Sequence, residues 1–239
     1  MNLFDKATVV HRAWRFRLKA EPGGVRFLRS NLAAGQTCLD IGAHKGAYSW
    51  WMARIVGRSG RVFAFEPQAV LADYLGDMRE SFGLEQLTVV PKALSSADGE
   101  RELFIPDGHR GGATLDPKAG EGEVTHVPTV GLDDFLDRAG ARPVHFLKCD
   151  VEGHELEVFR SGERMLREDR PALLFECQDY RGGGGQTMRV CRYLEDLGYD
   201  GVFFERGGRS RSVQEFNPEL HQASHETVFL DNFGFRHRA

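Results

Sequence analysis

The chain has 239 residues, 41% of them hydrophobic and 28% charged, and a formal net charge of -4, the composition of one globular α/β domain with a sizeable core. That balance implies no general attraction to nucleic acid or to anionic membranes. No apolar run approaches the roughly eighteen residues of a membrane-spanning helix, and the first twenty residues scatter Asp5, Lys6, Arg12, Arg15, Arg17 and Lys19 among apolar side chains, so neither a span nor a secretion signal is expected.

Residues 1–33 are expected to form an N-terminal helical flap, distinct from a main domain at 34–239. Val9, Val10, Ala13, Trp14, Phe16 and Leu18 mark a first helix, Val25, Phe27, Leu28 and Leu32 a second, with Pro22-Gly23-Gly24 between them and arginines along the first helix's exposed side. Thr37-Cys38-Leu39-Asp40-Ile41 then reads as a strand, Gly42-Ala43-His44-Lys45-Gly46 as a tight loop, and Tyr48 to Val56 as a helix. Such a strand–loop–helix junction usually grips a ligand. Gly42 would let a ligand approach the backbone, and Gly46 would start the helix where a side chain would collide with strand or ligand. Glycines at 42 and 46, with His44 between, miss the first, third and sixth positions of a dinucleotide fingerprint. Asp40 would oppose a pyrophosphate but suit a cation. The loop therefore favours S-adenosylmethionine.

The second strand, Arg61 to Glu66, ends on an acid 26 residues after Asp40, near the spacing at which a carboxylate meets a ribose diol. A helix at Ala69 to Phe82, a strand at Leu87 to Val90 and the small apolar pair Ala93 and Leu94, suited to an adenine face, follow. Gly99 to Pro106 reads as an additional strand. Asp107 to Glu123, with five glycines and no periodicity, reads as a lid or a poorly ordered loop. Val124 to Val130 is a strand, Leu132 to Leu136 starts a short helix, Val144 to Asp150 is a buried strand ending on an acid, and a helix runs through Leu156 and Leu166. Ala172 to Glu176 is another strand, Gly182 to Gly185 a hinge, Met188 to Leu197 a helix, and Tyr199 to Glu205 and Glu226 to Leu230 the closing strands. Alternating strands and helices predict a mostly parallel sheet covered on both faces, with Asp40, Glu66, Asp150 and Glu176 on the rim where ligands bind. Cys38, Cys149, Cys177 and Cys191 lie far apart, the first three in strand-like runs, so buried free thiols and a reducing, cytoplasmic setting are expected.

With these elements placed, the chain resembles the FkbM family of S-adenosylmethionine-dependent methyltransferases. The similarity rests on Leu39 to Gly46, Phe65-Glu66-Pro67, Lys92 to Ser95, Gly112 to Leu115, Val130 to Phe135, and Leu147-Lys148-Cys149-Asp150-Val151-Glu152-Gly153-His154-Glu155-Leu156-Glu157-Val158. Position 44 is commonly Asn in that family and is His here, and position 154 varies. The resemblance implies a class I methyltransferase (Rossmann-like) fold, a seven-stranded mostly parallel sheet with a C-terminal antiparallel hairpin and helices on both faces. It also implies O-methylation of a hydroxyl on a sugar, glycolipid or polyketide. Asp40, Gly42, Ala43, His44, Gly46, Tyr48, Glu66, Ala93, Leu94 and Asp150 become the expected cofactor contacts.

Methyl transfer from a sulfonium is an in-line displacement in which a base removes the acceptor's proton. Asp150 is the first candidate base, with a cofactor-holding role as the alternative. His154, one helical turn on, and Glu176 follow, with His225 ranked lower; Glu152 and Glu155 suit a helix N-terminus. Asp150, Glu152 and Glu176 could bind a divalent cation, yet no compact spacing demands one, and no metal is expected. The acceptor is expected to be a small molecule or glycan, with no nucleic-acid partner. A nicotinamide-dependent dehydrogenase and a non-catalytic binding module are the rival readings. The basic turn Arg206 to Arg211 is read as solvated rather than RNA-binding.

Overall fold

The computed structural model describes residues 1–116, 121–179, 185–222 and 229–238. Positions 182–184 of the expected hinge, His225 and positions 226–228 of the expected last strand lie outside the described residues. The elements in order are α1 (Leu3–Arg15), a π-helical stretch at Phe16–Ala20, α2 (Pro22–Asn31), β1 (Thr37–Ile41), α3 (Ala47–Val56), β2 (Arg61–Phe65), α4 (Ala69–Phe82), β3 (Leu87–Val90), β4 (Ala93–Ser95), β5 (Gly99–Pro106), a 3-10 turn at Arg110–Gly112 and β6 (Gly122–Gly131). Next come α5 (Leu132–Ala139), β7 (Phe146–Cys149), α6 (Glu155–Ser161), α7 (Glu163–Glu168), β8 (Ala172–Glu176), α8 (Gln186–Asp196), β9 (Tyr199–Phe204), β10 (Ser210–Ser212), α9 (Pro218–His221) and β11 (Asn232–His237).

The main sheet runs β10-β9-β11-β8-β7-β1-β2-β3, and β4-β6-β5 form a separate three-stranded sheet. β8, β7, β1, β2 and β3 are mutually parallel. β11 is wedged antiparallel between β8 and β9. The expected α/β architecture with its antiparallel close is therefore present, with eight strands in place of seven. The extra one is β10, a three-residue edge that doubles back on β9. β1 is buried along its whole length, because helices cover both faces of the sheet.

Three expectations need correction. The last strand is Asn232–His237, and Phe229 and Leu230 precede it outside any strand. The Thr-Val-Phe-Leu run has the stronger strand composition, but Phe233 and Phe235 pack on Phe175 while Gly234 leaves room for Phe27 and Phe204 on the other face. The polar segment after β5 is shorter than expected, since Gly122 and Glu123 already pair with Pro106 and Ile105. Finally, Pro22-Gly23-Gly24 does not separate the first helices. The chain breaks at Glu21 (φ -132°, ψ 56°), and Pro22 begins α2, where its missing N–H costs no helical hydrogen bond.

Two apolar clusters flank the sheet. Val9 and Ala13 of α1 and Val25, Phe27 and Leu28 of α2 are buried in the second, with Cys38, Trp51 and Phe146. Asn2 and Asp5 cap the start of α1 reciprocally, and the Trp51 indole N–H donates to the Ala13 carbonyl at 2.9 Å. All four cysteines are buried free thiols, and burial raises their pKa. No helix among the described residues is long and apolar enough to cross a membrane.

Phe233 is fully buried and stacks on Phe175 at 5.3 Å, so it is the keystone of the wedged strand. Truncation to Ala should cost about 3–5 kcal/mol. A urea-denaturation midpoint within error of the native protein would show that β11 does not hold the sheet together.

Candidate functional site

The loop after β1 is pinned by backbone hydrogen bonds to both neighbouring strands. The amides of Gly42 and Ala43 donate to the Phe65 carbonyl at 3.1 and 3.0 Å, and the Asp150 amide donates to the Ile41 carbonyl at 3.0 Å. Gly42 has φ +73°, and a Cβ there would lie 1.8 Å from the Asp150 carbonyl oxygen. Its glycine thus supplies the expected sharp turn and is also demanded by the close passage of the Asp150 backbone at the end of the neighbouring strand. Gly46 is favoured by its left-handed φ of +72°, and a Cβ there would also crowd Leu75 and Met78 of α4 at 2.7 and 2.8 Å. His44 takes the left-handed conformation (φ 49°), which turns its amide onto Glu66 Oε2 at 2.9 Å. The Gln68 amide holds Glu66 Oε1 at the same distance. Burial lifts the Glu66 pKa to about 7 against these two amides.

A cleft of about 560 Å³ opens beyond the carboxyl ends of the parallel strands, the position at which such sheets bind ligands. Of the expected site residues, Gly42, His44, Glu66, Ala93, Leu94, Asp150, His154 and Glu176 line it. Asp40, Ala43 and Tyr48 line an adjoining recess of about 260 Å³, shared with Gly42, His44, Asp150 and Lys148. Gly46 lines neither.

The electrostatics centre on Lys148, a residue the sequence reading did not single out. Its ammonium is buried, 3.0 Å from Asp150 Oδ2 and 3.4 Å from the Gly42 carbonyl. Burial works against its charge, but the neighbouring carboxylates of Asp150, Asp40 and Glu21 prevail and raise its pKa. Asp40 is completely buried. Its Oδ2 accepts from the Ser49 hydroxyl at 2.5 Å, its Oδ1 has no partner among the described residues, and burial raises its pKa. Glu21, also missed, reaches the cleft from the break before α2 and accepts the Tyr48 hydroxyl at 2.7 Å. Burial lifts it to about 7. Glu176 is raised by burial and by Asp150 and Asp231. One buried cation thus faces several carboxyl groups, a donor set suited to a cationic ligand and opposed to a pyrophosphate. The orphaned Asp40 oxygen and the fixed Glu66 carboxylate fit a cationic nucleoside such as S-adenosylmethionine. The fold also gathers carboxylate oxygens of Asp150, Glu152 and Glu176 within 4.8 Å of one another, close enough to ligate a divalent cation although the sequence spacing gave no such sign.

His154 is buried with both ring nitrogens engaged. Nε2 lies 3.3 Å from Ser95 Oγ, and Nδ1 lies 3.3 Å from Asp116 Oδ1. Arg101 donates to Ser95 Oγ at 3.0 Å, and a neutral ring that gives its Nδ1–H to the Asp116 carboxylate accepts the Ser95 hydroxyl at Nε2. This chain ties β4 to the segment after β5. The Thr114 hydroxyl donates to the Glu152 carbonyl at 2.8 Å, and Gln68 Nε2 to the Arg110 carbonyl at 2.9 Å. The segment expected as a lid is therefore fastened to the rim, at least through Asp116. Ser95 and Asp116 gave no signal in sequence, because nothing in their spacing announces a shared histidine.

A family model described as the methyltransferase FkbM domain matches residues 40–200. The hexuronic acid methyltransferase AglP of Haloferax volcanii is 30% identical over 161 residues, covering 66% of this chain and 63% of that protein. Among solved structures, methyltransferase FkbM from Methylobacillus flagellatus KT superposes with a TM-score of 0.55 at 14% identity, over 97% of this chain and 54% of that one. A SAM-dependent methyltransferase from Aquifex aeolicus gives 0.51 at 16% identity, over 97% of both chains. The chain thus spans less than two thirds of the length of AglP and of the Methylobacillus protein, and the structural likenesses establish the fold.

The Glu21 environment makes a measurable demand. Because its folded pKa is raised from 4.5 to about 7, the stability linked to its protonated form is complete below pH 4.5 and is lost as pH rises through 7. Glu21→Gln, which mimics the neutral form, should match the native protein near pH 4.5 and exceed it by roughly 1–3 kcal/mol at pH 8. Thermal melts at the two pH values read the difference, and equal gaps at both would show that folding does not raise the Glu21 pKa.

Proposed function

Because this chain belongs to the FkbM methyltransferase family and uses S-adenosylmethionine, we propose that it transfers the methyl group to a hydroxyl oxygen of a sugar, glycolipid or polyketide. The observation that carries this reading is Asp150, held by Lys148 at the end of β7 and lining the same cleft as the amide-anchored Glu66. The hexuronic acid named for AglP favours a sugar among the acceptors and a glycan over a nucleic acid.

In this reading Glu66 accepts the ribose hydroxyls, Ala93 and Leu94 flank the adenine, and the loop of Gly42, Ala43 and His44 borders the cofactor. Asp40 offsets the positive charge. Gly46 and Tyr48 act by shaping the loop. The bound cofactor supplies an electrophilic methyl on a sulfonium. Asp150 Oδ2 is taken by Lys148. Its Oδ1, without a partner among the described residues, receives the acceptor's hydroxyl proton as the oxygen attacks. Glu176 and Glu21 border the acceptor, while His154 holds the rim in place through Ser95 and Asp116.

Calorimetry should show S-adenosylhomocysteine binding and no NAD binding; the reverse would overturn the cofactor assignment. With labelled S-adenosylmethionine and a panel of sugar, glycolipid and macrolide extracts, label should move to a hydroxylated acceptor. On the acceptor so found, Asp150→Asn should keep cofactor affinity while turnover falls by roughly 100-fold or more. A parallel loss of affinity would make Asp150 a cofactor holder, and full activity would remove both roles.

A further inference from the structure

The N-terminal helix carries a largely exposed face on which Trp14 reaches the core, edge-on to Trp51 at 5.4 Å. Phe4, Ala7, His11, Trp14 and Leu18 follow one another at spacings of three and four residues, and all are exposed, so they share one face running from α1 into the π-helical stretch. Phe4 is 79%, Trp14 41% and Leu18 65% exposed, half of the large hydrophobic residues exposed among the described residues. The opposite face buries Val9 and Ala13 in the core.

The charges around this face are one-sided. Residues 1–20 hold Lys6, Arg12, Arg15, Arg17 and Lys19 against a single acid, Asp5, in a chain whose net charge is -4. Elsewhere among the described residues many arginines are ion-paired, as with Arg58, Arg138, Arg142, Arg164 and Arg211. None of the five N-terminal cations forms a salt bridge among the described residues. Arg17 instead lies over the Trp14 ring at 4.7 Å and Arg15 over Phe16 at 5.8 Å. Unneutralised cations flanking an aromatic and aliphatic face fit a surface with negative charge outside and hydrocarbon beneath.

We propose that this helical face docks the protein on an anionic lipid bilayer. Phe4, Trp14 and Leu18 enter the boundary between headgroups and acyl chains, while Arg15, Arg17 and Lys19 meet anionic headgroups; Arg12 is held by Tyr74 and the Lys45 carbonyl. The same helix borders the site. Arg12 and Arg15 line the smaller recess, and Phe16 lines both it and the main cleft. Docking would therefore place the cleft beside the headgroup layer, which, if the proposed hydroxyl methylation holds, selects lipid-borne acceptors over freely diffusing ones.

The test is co-sedimentation of the full chain with vesicles of phosphatidylcholine alone and of phosphatidylcholine mixed with phosphatidylglycerol. The native protein should pellet with the mixed vesicles only, release with added salt, and shift its tryptophan emission to shorter wavelength. A Phe4→Ser/Leu18→Ser/Lys19→Glu variant changes only exposed side chains and should lose at least about tenfold in bound fraction. Its circular dichroism and S-adenosylhomocysteine binding should match the native protein. Absence of native pelleting, or equal pelleting of the variant, overturns the proposal. So does a dimer in sedimentation velocity that the variant abolishes with no vesicle binding, which would assign the face to a second copy. Each of these leaves the methyl-transfer reading intact, since cofactor binding is measured separately.

Discussion

The site depends on one buried ammonium. A lysine this deeply enclosed costs several kcal/mol to desolvate unless carboxylates compensate it, and here the compensation comes from three parts of the chain. Asp150 belongs to the end of β7, Asp40 to β1, and Glu21 to the break before α2. Lys148 also reaches the Gly42 carbonyl at 3.4 Å. It therefore joins the loop after β1, the end of β7 and the N-terminal segment in one electrostatic unit, and removing it would leave carboxylates facing one another without a counter-charge.

The surplus of acid around that unit gives the cleft its character. Glu21 and Glu66 both have pKa values lifted to about 7 by burial, and Glu176 is raised with them. Groups held so close to neutrality discriminate between ligands by charge: a cation relieves their repulsion, whereas a diphosphate would add to it. On the proposed reading, the cleft selects its cofactor as much by what it repels as by what it binds.

The sequence revealed the architecture of the parallel core because its strands are short apolar runs ending on acids, and Asp40, Glu66, Asp150 and Glu176 do stand together on one rim. α4 and the β3, β5 and β8 boundaries match their apolar patterns residue for residue. What stayed hidden depended on contacts between distant segments. Lys148 reads as an interruption in an apolar strand until Asp40 and Glu21 are brought to it. Glu21 looks like a solvated residue before a turn until Gly24, whose Cβ would lie 2.4 Å from the Tyr48 hydroxyl, lets that hydroxyl approach. β11 was misplaced because Gly234 lowers its strand propensity, whereas its pairing on both edges and the packing of Phe233 decide the outcome. Its flanking segment at 223–228 lies outside the described residues.

The four enclosed thiols have a consequence for the life of the protein. Cys38, Cys149 and Cys191 are wholly buried and Cys177 nearly so, and each resists ionising because its surroundings are apolar. An electrophile or oxidant in solution needs a thiolate it can reach, so it must wait for the sheet to open. Cys38 sits in β1, Cys149 in β7, and Cys177 just beyond β8, three adjacent strands of the parallel core. Their alkylation rate under native conditions is consequently a clock for global opening, blind to the fraying of loops and termini. Oxidation at these four thiols therefore follows opening of the fold rather than preceding it.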